Sequence, residues 1–233
     1  MIIKKVQILK ERIVKICDNS GRNPEEITLI AVSKTNPLSA IEEAYSAGIE
    51  DFGENKAQEF RDKSKLVVSN FNWHFVGHLQ TNKVKYVIDS AEYIHSVDTI
   101  KLAGAIDNKA SSINKIQKIL IEVNTSGESS KFGIHDFENL KNFIEECSSY
   151  SNIEVKGLMT MAPFTSDKNV IRKCFSELRE MKEKLNNQWN NISELSMGMT
   201  NDYKIAIEEG STMLRIGTAI FGERDKSKTW REK

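Results

Sequence analysis

The sequence has few cysteines and carries no net charge. Three cysteines are present, and 33 basic residues balance 33 acidic residues. Because Cys17, Cys147 and Cys174 are far apart and odd in number, neither a disulfide framework nor a CxxC metal or redox site is expected. A reducing, cytoplasmic location is predicted. A chain without net charge would displace few counterions from nucleic acid, so no nucleic-acid partner is expected.

Long apolar runs are missing as well. No stretch approaches the roughly 20 apolar residues that a membrane-spanning helix requires. Residues 1–17 lack the uninterrupted apolar core and the small-residue cleavage site of a signal peptide. No linker rich in proline or glycine divides the chain. We therefore expect no membrane contact, and a single domain over residues 1–233.

The sequence does contain short apolar runs that alternate with amphipathic segments. The runs are almost continuously hydrophobic and rich in β-branched residues, which is typical of strands buried on both faces of a parallel sheet. Each run ends in polar residues. The runs cover residues 27–34, 49–55, 72–78, 93–98, 118–127, 155–164, 194–200 and 213–222.

The segments between the runs carry helix signals. Asn36 is a predicted N-cap, with Pro37 at the first helical position, and Asp167 precedes a longer helical pattern. An additional amphipathic helix is predicted at about residues 2–18, before the first run.

Eight strands that alternate with helices predict an α/β fold, a (β/α)8 TIM barrel with an extra N-terminal helix. The barrel is expected to span about residues 27–222. An open, doubly wound sheet is the alternative. Its glycine-rich dinucleotide turn would follow the first strand, where VSKTNP stands instead, and so a closed barrel is favoured.

The active site of such a barrel lies at the carboxyl ends of its strands. The last two runs end in glycine with hydroxyl residues nearby, and the loops that follow strands 7 and 8 often form a phosphate site. Ser196, Gly198, Gly217 and Thr218 are the candidate phosphate ligands. The alternative, that these glycines only turn the chain, remains open.

Lys34 ends the first run, directly after Ser33. An ammonium at the mouth of a barrel is partly removed from water, which lowers its pKa and favours the nucleophilic neutral amine. A solvated lysine at a strand end is the alternative interpretation. A nearby phosphate site favours the reactive role, because sugar phosphates and pyridoxal 5′-phosphate (PLP) both combine an aldehyde with a phosphate.

Other candidate sites are weaker. His74 and His78 have the spacing of a helical zinc pair, but in a strand four residues span about 13 Å, too far to share a metal. We therefore expect structural histidines and no metal. Glu54 is either an acid–base group or a complement to a helix dipole. Four methionines are expected to fill the barrel: Met159, Met161, Met197 and Met199.

Eight motifs, in register over about residues 27–222, resemble those of the pyridoxal phosphate homeostasis proteins, the YggS/PROSC family. The resemblance extends to the N-terminal barrel of alanine racemase and implies a PLP-binding barrel of fold type III. The motifs are AVSKTNP, DFGENKAQE, WHFVGHLQTNK, HSVD, VNTSGESSKFG, GLMTMAP, LSMGMTNDY and STMLRIGTAIFG.

The resemblance also implies roles for individual residues. PLP would be held as an internal aldimine on Lys34, with Arg215 near the pyridine nitrogen. Gly217 and Thr218 would hold the phosphate with help from Ser196, and Asn55 would line the ring.

The function implied is a share in intracellular PLP homeostasis and delivery, without substantial turnover, and therefore not that of an enzyme. Apo PLP-dependent enzymes are the implied partners, and a monomer is expected. Arg215 donates hydrogen bonds but cannot keep the pyridine nitrogen protonated, which makes the ring a poor electron sink. The alternatives are a one-domain PLP-dependent amino-acid racemase and a cofactor-free aldolase that acts on sugar phosphates through Lys34.

Overall fold

A closed parallel β-barrel forms the centre of the protein. The computed structural model describes residues 1–67, 71–128, 131–223 and 229–232. Each strand pairs with the next along the chain, and the last pairs with the first, which confirms the predicted (β/α)8 barrel. The strands are β1 (Thr28–Val32), β2 (Asp51–Glu54), β3 (Asn72–Phe75), β4 (Ala91–Val97), β5 (Gln117–Glu122), β6 (Ile153–Met159), β7 (Glu194–Ser196) and β8 (Met213–Ile216).

Strand β1 closes the barrel, because Ala31 pairs with Phe52 on one side and with Ile216 on the other. Successive side chains of a strand point to opposite faces. Apolar residues from β1, β5, β6 and β8 consequently meet in one cluster inside the barrel, separate from the larger core between the sheet and the helices. The members of this inner cluster are Ile30, Leu120, Met159 and Met213.

Helices follow most of the strands and cover the outside of the barrel. They are α1 (Ile2–Ser20), α2 (Leu38–Ser46), α3 (Ala57–Leu66), α4 (Ile100–Ser111), α5 (Phe137–Cys147), α6 (Lys168–Asn186), α7 (Tyr203–Glu208) and α8 (Thr218–Phe221). Short 3-10 turns lie at Pro24–Glu26 and Thr81–Tyr86.

The predicted N-terminal helix is present and extends to Ser20, two residues beyond the predicted end. It buries Val6, Leu9, Ile13 and Cys17, which share one face at helical spacing. Its C-terminal cap is Gly21 in the left-handed conformation, with φ 66°. The buried face packs against α2, α7 and α8.

The predicted helix starts are right for α6 and one residue early for α2. The Asp167 carboxylate accepts hydrogen bonds from the backbone N–H groups of Asn169 and Val170, as an N-cap does. Pro37 is extended, with ψ 165°, so it is itself the N-cap and α2 begins at Leu38.

No helix within the described ranges combines the length and the apolarity that crossing a bilayer requires. All three cysteines are free and buried.

Candidate functional site

A cavity of about 460 Å³ opens at the carboxyl ends of the barrel strands. Side chains that follow β1, β2 and β8 line it, which is the placement expected for a barrel active site. The predicted site residues among its lining are Lys34, Asn55, Arg215, Gly217 and Thr218.

Ser196 and Gly198 are placed differently. Both are buried, and neither is among the residues that line the cavity. The Ser196 hydroxyl contacts the side chains of Arg215 and His95. Gly198 has φ +95°, and a Cβ atom at this residue would lie 2.5 Å from the Cβ of Ala206. The absence of a side chain at Gly198 therefore allows the loop that follows β7 to pack closely against α7.

The loops that follow β7 and β8 are joined at the edge of the cavity. The backbone N–H of Ala219 donates a hydrogen bond to the Thr200 hydroxyl at 3.3 Å. Thr200, Gly217 and Thr218 all line the cavity. Of the four predicted phosphate ligands, Gly217 and Thr218 therefore lie on this cavity, and Thr200 is an additional hydroxyl residue beside them.

The backbone on both sides of Lys34 is held by side chains from β2 and α3. The Ser33 hydroxyl donates to Glu54 Oε1 at 2.7 Å, and Lys63 Nζ donates to the Ser33 carbonyl at 2.9 Å. Thr35 has a positive φ of 65°, and its N–H donates to Glu59 Oε1 at 2.7 Å. These contacts fix the turn from which the Lys34 side chain enters the cavity.

Glu54 belongs to this supporting group and not to the cavity. Lys63 forms ion pairs of 2.7 Å with Glu54 and with Glu59, and the side chains of Lys63 and Glu54 have no accessible surface. Burial raises the pKa of Glu54 to about 7, although the Lys63 ammonium opposes the shift. From the sequence, Glu54 was considered for acid–base chemistry or for helix-dipole complementarity. In the structure it instead forms a buried ion pair with Lys63.

Arg215 lines the cavity, and not all of its guanidinium N–H groups donate hydrogen bonds to the described residues. Its Nη1 donates to the Ser196 hydroxyl at 2.6 Å, and its Nη2 donates to the Thr160 carbonyl at 2.9 Å. Nε–H has no acceptor within the described residues. Burial lowers the pKa of Arg215 to about 10, while Asp202 and Glu122 oppose the shift. The guanidinium therefore remains charged at neutral pH.

Asn55 owes its position to Gly77, which the sequence analysis did not single out. A Cβ atom at Gly77 would lie 2.2 Å from the Asn55 carbonyl oxygen and 2.7 Å from its Cα. Only a residue without a side chain allows the loops after β2 and β3 to approach this closely. The glycine of the WHFVGH motif was the available signal.

Glu122 is a second residue that the sequence analysis missed. It ends β5, is 5% exposed and lines the cavity. Burial raises its pKa to about 7, with Asp98 adding to the shift and Arg215 opposing it. Within the described residues no hydrogen bond or ion pair engages its carboxylate. The predicted fifth run covers residues 118–127 and leaves Glu122 in its interior, but alternation from the inward-facing Leu120 would have pointed to Glu122.

Apolar side chains surround the mouth of the cavity. Met161 and Met199 are 37% and 39% exposed and line it, so the prediction that they fill the barrel is wrong. Met159 is buried in the inner cluster of the barrel, as predicted, whereas Met197 is buried in the larger core between the sheet and the helices. Phe164, at 97% exposure, lies on the same rim.

The two histidines of the WHFVGH motif have separate environments. His74 is buried inside the barrel in hydrogen bonds with Asp51 and His95. His78 lines the cavity and stacks on Phe132, with 3.9 Å between ring centroids. In the part of the chain that the structure describes, no cluster of histidine, cysteine and acidic residues has the arrangement of a metal site.

The sequence is similar to known proteins over most of its length. The family described as alanine racemase, N-terminal domain, matches residues 7–225. A pyridoxal phosphate homeostasis protein from Aquifex aeolicus (strain VF5) is 43% identical over 216 residues, which cover 92% of this chain and 94% of the relative. A protein of the same name from Escherichia coli (strain K12) is 39% identical over 227 residues, with 94% and 95% covered.

A solved structure shows the same likeness in three dimensions. PipY from Synechococcus elongatus PCC7942, with PLP bound, superposes with a TM-score of 0.84 at 31% sequence identity. The match covers 95% of this chain and 100% of PipY.

Proposed function

Because the chain belongs to the family of pyridoxal phosphate homeostasis proteins, we propose that it binds PLP and takes part in the homeostasis and delivery of this cofactor. We place this function in the cytoplasm and assign it to a monomer without substantial turnover. The observation that carries the proposal is one cavity lined by the Lys34 amine, the Arg215 guanidinium and the Gly217–Thr218 turn. The PLP-bound structure of its relative PipY supports the same ligand.

The residues present fit PLP by their chemistry. The ligand offers an aldehyde, a ring nitrogen that accepts hydrogen bonds, and a phosphate. Lys34 supplies an amine, Arg215 has an unused N–H donor, and the side-chain-free Gly217 leaves its backbone accessible to an anion. The cavity of about 460 Å³ lies within the range of about 300 to 1,000 Å³ that is usual for small-molecule sites.

Each residue has a separate task in the proposed complex. Lys34 forms the covalent bond to the ligand, and the Ser33 and Thr35 contacts described above hold its turn in place. Arg215 donates a hydrogen bond without giving up its proton, because its pKa of about 10 is far above neutral pH. Thr218 and the backbone beside Gly217 bind the phosphate, and Asn55 orients the ring. When bound, PLP supplies an electrophilic carbonyl carbon for amines and a ring that can withdraw electrons.

The cavity supports a carrier better than a racemase. Racemisation requires an acid–base group on each face of the substrate α-carbon. None of the tyrosines within the described residues lines the cavity, and Tyr93 lies deeper in the barrel, stacked on His74. Because Arg215 leaves the ring nitrogen unprotonated, the ring would stabilise a carbanion poorly.

Reduction with borohydride tests where PLP binds. The purified protein should show the visible absorption of PLP bound to an amine, and borohydride should place one phosphopyridoxyl group on Lys34. Lys34→Ala should lose both signals. Lys56→Ala, which removes an exposed lysine next to Asn55, is the matched control and should retain them. Stoichiometric labelling of another lysine, with the spectrum unchanged in Lys34→Ala, contradicts the assignment.

Mixing the PLP-loaded protein with a PLP-dependent apoenzyme tests delivery. The apoenzyme should regain activity, while Lys34→Ala prepared in the same way should restore little. A dialysis membrane between the two proteins distinguishes transfer by contact from transfer through free PLP. If the loaded protein restores no activity on either side of the membrane, delivery is ruled out for that apoenzyme, and PLP binding is judged by the reduction experiment.

A further inference from the structure

A continuous line of hydrogen-bonded side chains runs through the barrel interior from Asp51 to Arg215. Asp51 Oδ1 lies 2.9 Å from His74 Nε2, and His74 Nδ1 lies 2.9 Å from His95 Nε2. His95 Nδ1 lies 2.9 Å from the Ser196 hydroxyl, and Arg215 Nη1 donates to that hydroxyl at 2.6 Å. All four distances are those of ordinary hydrogen bonds.

The line connects the cavity with the opposite part of the barrel. Its members come from five different strands: β2, β3, β4, β7 and β8. His74, His95, Ser196 and Arg215 are buried. The Asp51 side chain is 22% exposed and brings the far end of the line to solvent. Buried polar groups of this kind are retained only when each has a partner.

The two ends of the line set the direction of its hydrogen bonds when both imidazoles are neutral, because the Arg215 guanidinium only donates and the Asp51 carboxylate only accepts. A guanidinium has donors only, so the Ser196 oxygen accepts from Arg215 and its O–H points to His95 Nδ1. The proton of His95 must then be on Nε2, from which it is donated to His74 Nδ1. His74 in turn carries its proton on Nε2 and donates it to the Asp51 carboxylate. Each bond has one donor and one acceptor when both imidazoles are neutral.

The surroundings of His95 favour its neutral form. Burial lowers the pKa of His95 well below its ordinary value, and the neighbouring His74 and Arg215 add to the effect. Tyr93 stacks on His74 with 5.4 Å between ring centroids and meets His95 edge-on. Asp51 faces His74 from β2, and Arg215 faces His95 through Ser196. A second proton on His95 would remove the acceptor of the Ser196 O–H in the line, and a second proton on His74 would set its Nδ1–H against the His95 Nε2–H.

We propose that His74 and His95, acting through Ser196, are positioning residues for Arg215. The line of hydrogen bonds holds the guanidinium in one orientation and directs its unused N–H toward the cavity. In this way Asp51, on the far side of the barrel, anchors a group that faces the ligand. The part of the inference that concerns the ligand ring rests on the proposed function, whereas the orientation of Arg215 does not.

Nuclear magnetic resonance of the ligand-free protein tests the direction of the bonds. The ¹⁵N shifts of His74 and His95 at pH 7 should show Nε2 protonated and Nδ1 unprotonated in both rings. The sequence contains four histidines, so His78→Gln and His135→Gln variants assign the signals. A ring that is protonated on Nδ1, alone or on both nitrogens, overturns the proposed polarity.

Two serine variants test the positioning of Arg215 independently of PLP. Ser196→Ala removes the acceptor of Arg215 Nη1. Ser211→Ala is the matched control, since Ser211 is equally buried but donates to the Met197 carbonyl at 2.7 Å, outside the line. The Arg215 side-chain N–H signals should be sharp in the unmodified protein and in Ser211→Ala, and exchange-broadened in Ser196→Ala. Equal signals in both variants overturn the positioning role.

The same pair of variants carries the test to the ligand. The dissociation constant of PLP should rise about tenfold in Ser196→Ala. The absorption maximum of bound PLP should also move, because the donor to the ring nitrogen is displaced. Ser211→Ala should leave both unchanged. If Ser196→Ala does not fold, His95→Gln interrupts the line at the next residue and should have the same effects. Failure of the unmodified protein to bind PLP overturns the proposed function, while the Arg215 signals still decide the positioning role.

Discussion

The Lys63 ammonium lies 2.7 Å from Glu54 Oε1, with both side chains wholly removed from solvent. The same ammonium donates to the Ser33 carbonyl, one residue before Lys34. Buried ion pairs add little net stability over apolar packing, but the loss of one partner leaves an uncompensated charge. We therefore infer that Lys63 stabilises the turn that carries Lys34.

Lys63→Met should lower the free energy of unfolding by about 3 to 5 kcal/mol, because Glu54 and Glu59 lose their cation. The loss should be greater at pH 8 than at pH 5, since Glu54 takes up a proton at the lower pH. Urea unfolding at the two pH values measures both effects. Lys65→Met, at an exposed position of the same helix, should change the stability by less than about 0.5 kcal/mol. Equal losses of stability in the two variants would contradict the stabilising role of Lys63.

Glu122→Gln should reduce the pH dependence of stability. The pKa of Glu122 is raised from 4.5 to about 7, so in this interval the folded state holds a proton that the unfolded state has released. The protonated Glu122 carboxyl makes its full contribution to the free energy of unfolding below about pH 4.5. This contribution, about 3 kcal/mol in total, is lost as the pH rises through about 7. Between pH 4.5 and pH 8 the free energy of unfolding should therefore fall less steeply with pH for Glu122→Gln than for the unmodified protein. Glu54 accounts for the slope that remains. An unchanged slope would show that Glu122 is not buried as described.

The alternation of strands and helices could be predicted from the sequence, but the strand ends could not. Residues 213–222 form one apolar run, yet β8 ends at Ile216 and α8 begins at Thr218. Hydrophobicity alone does not indicate the turn at Gly217, since the apolar sequence resumes after Thr218 with Ala219, Ile220 and Phe221. The same limitation extended the predicted fifth strand to residue 127, and for that reason Glu122 was assigned to its interior.

Residues of the candidate site were predictable where they lie within two positions of a strand end, as Lys34 and Asn55 do. The site was not predictable where the arrangement depends on contacts between different strands and helices. Glu54 and Lys63 meet across β2 and α3, and the line from Asp51 to Arg215 spans most of the chain. No periodicity marks such contacts, because each member reads locally as an isolated polar residue in a strand or helix.

Gly217→Glu should abolish most PLP retention, because its carboxylate would occupy the space proposed for the phosphate and repel it. Thr218→Ala removes one hydroxyl donor and leaves the backbone, so the expected loss is about 1 kcal/mol. Equilibrium dialysis against PLP measures both, and circular dichroism checks the fold. Native circular dichroism together with unchanged dissociation in Gly217→Glu would place the phosphate elsewhere.

Gly77→Ala should weaken PLP binding by displacing Asn55, whose carbonyl oxygen would lie 2.2 Å from the new Cβ. Asn55→Ala removes the side chain that Gly77 positions, so the two changes act on one interaction. A double-mutant cycle on PLP affinity should therefore show that the effect of Gly77→Ala is much smaller in the Asn55→Ala background. Additive effects would mean that Gly77 acts on another part of the cavity.

Bound PLP should be transferable but catalytically quiet. An incoming amine can replace Lys34, but exchange of the α-proton requires a base aimed at the substrate and a ring that withdraws electrons. In the proposed complex Arg215 would leave the ring nitrogen unprotonated, and Glu122 and Asp202 are the carboxyl groups among the described residues that line the cavity. The exchange of α-deuterium from labelled amino acids should therefore be marginal in the unmodified protein and no slower in Glu122→Gln. Rapid, stereospecific exchange that disappears in both Lys34→Ala and Glu122→Gln would instead establish a one-domain racemase with Glu122 as its base.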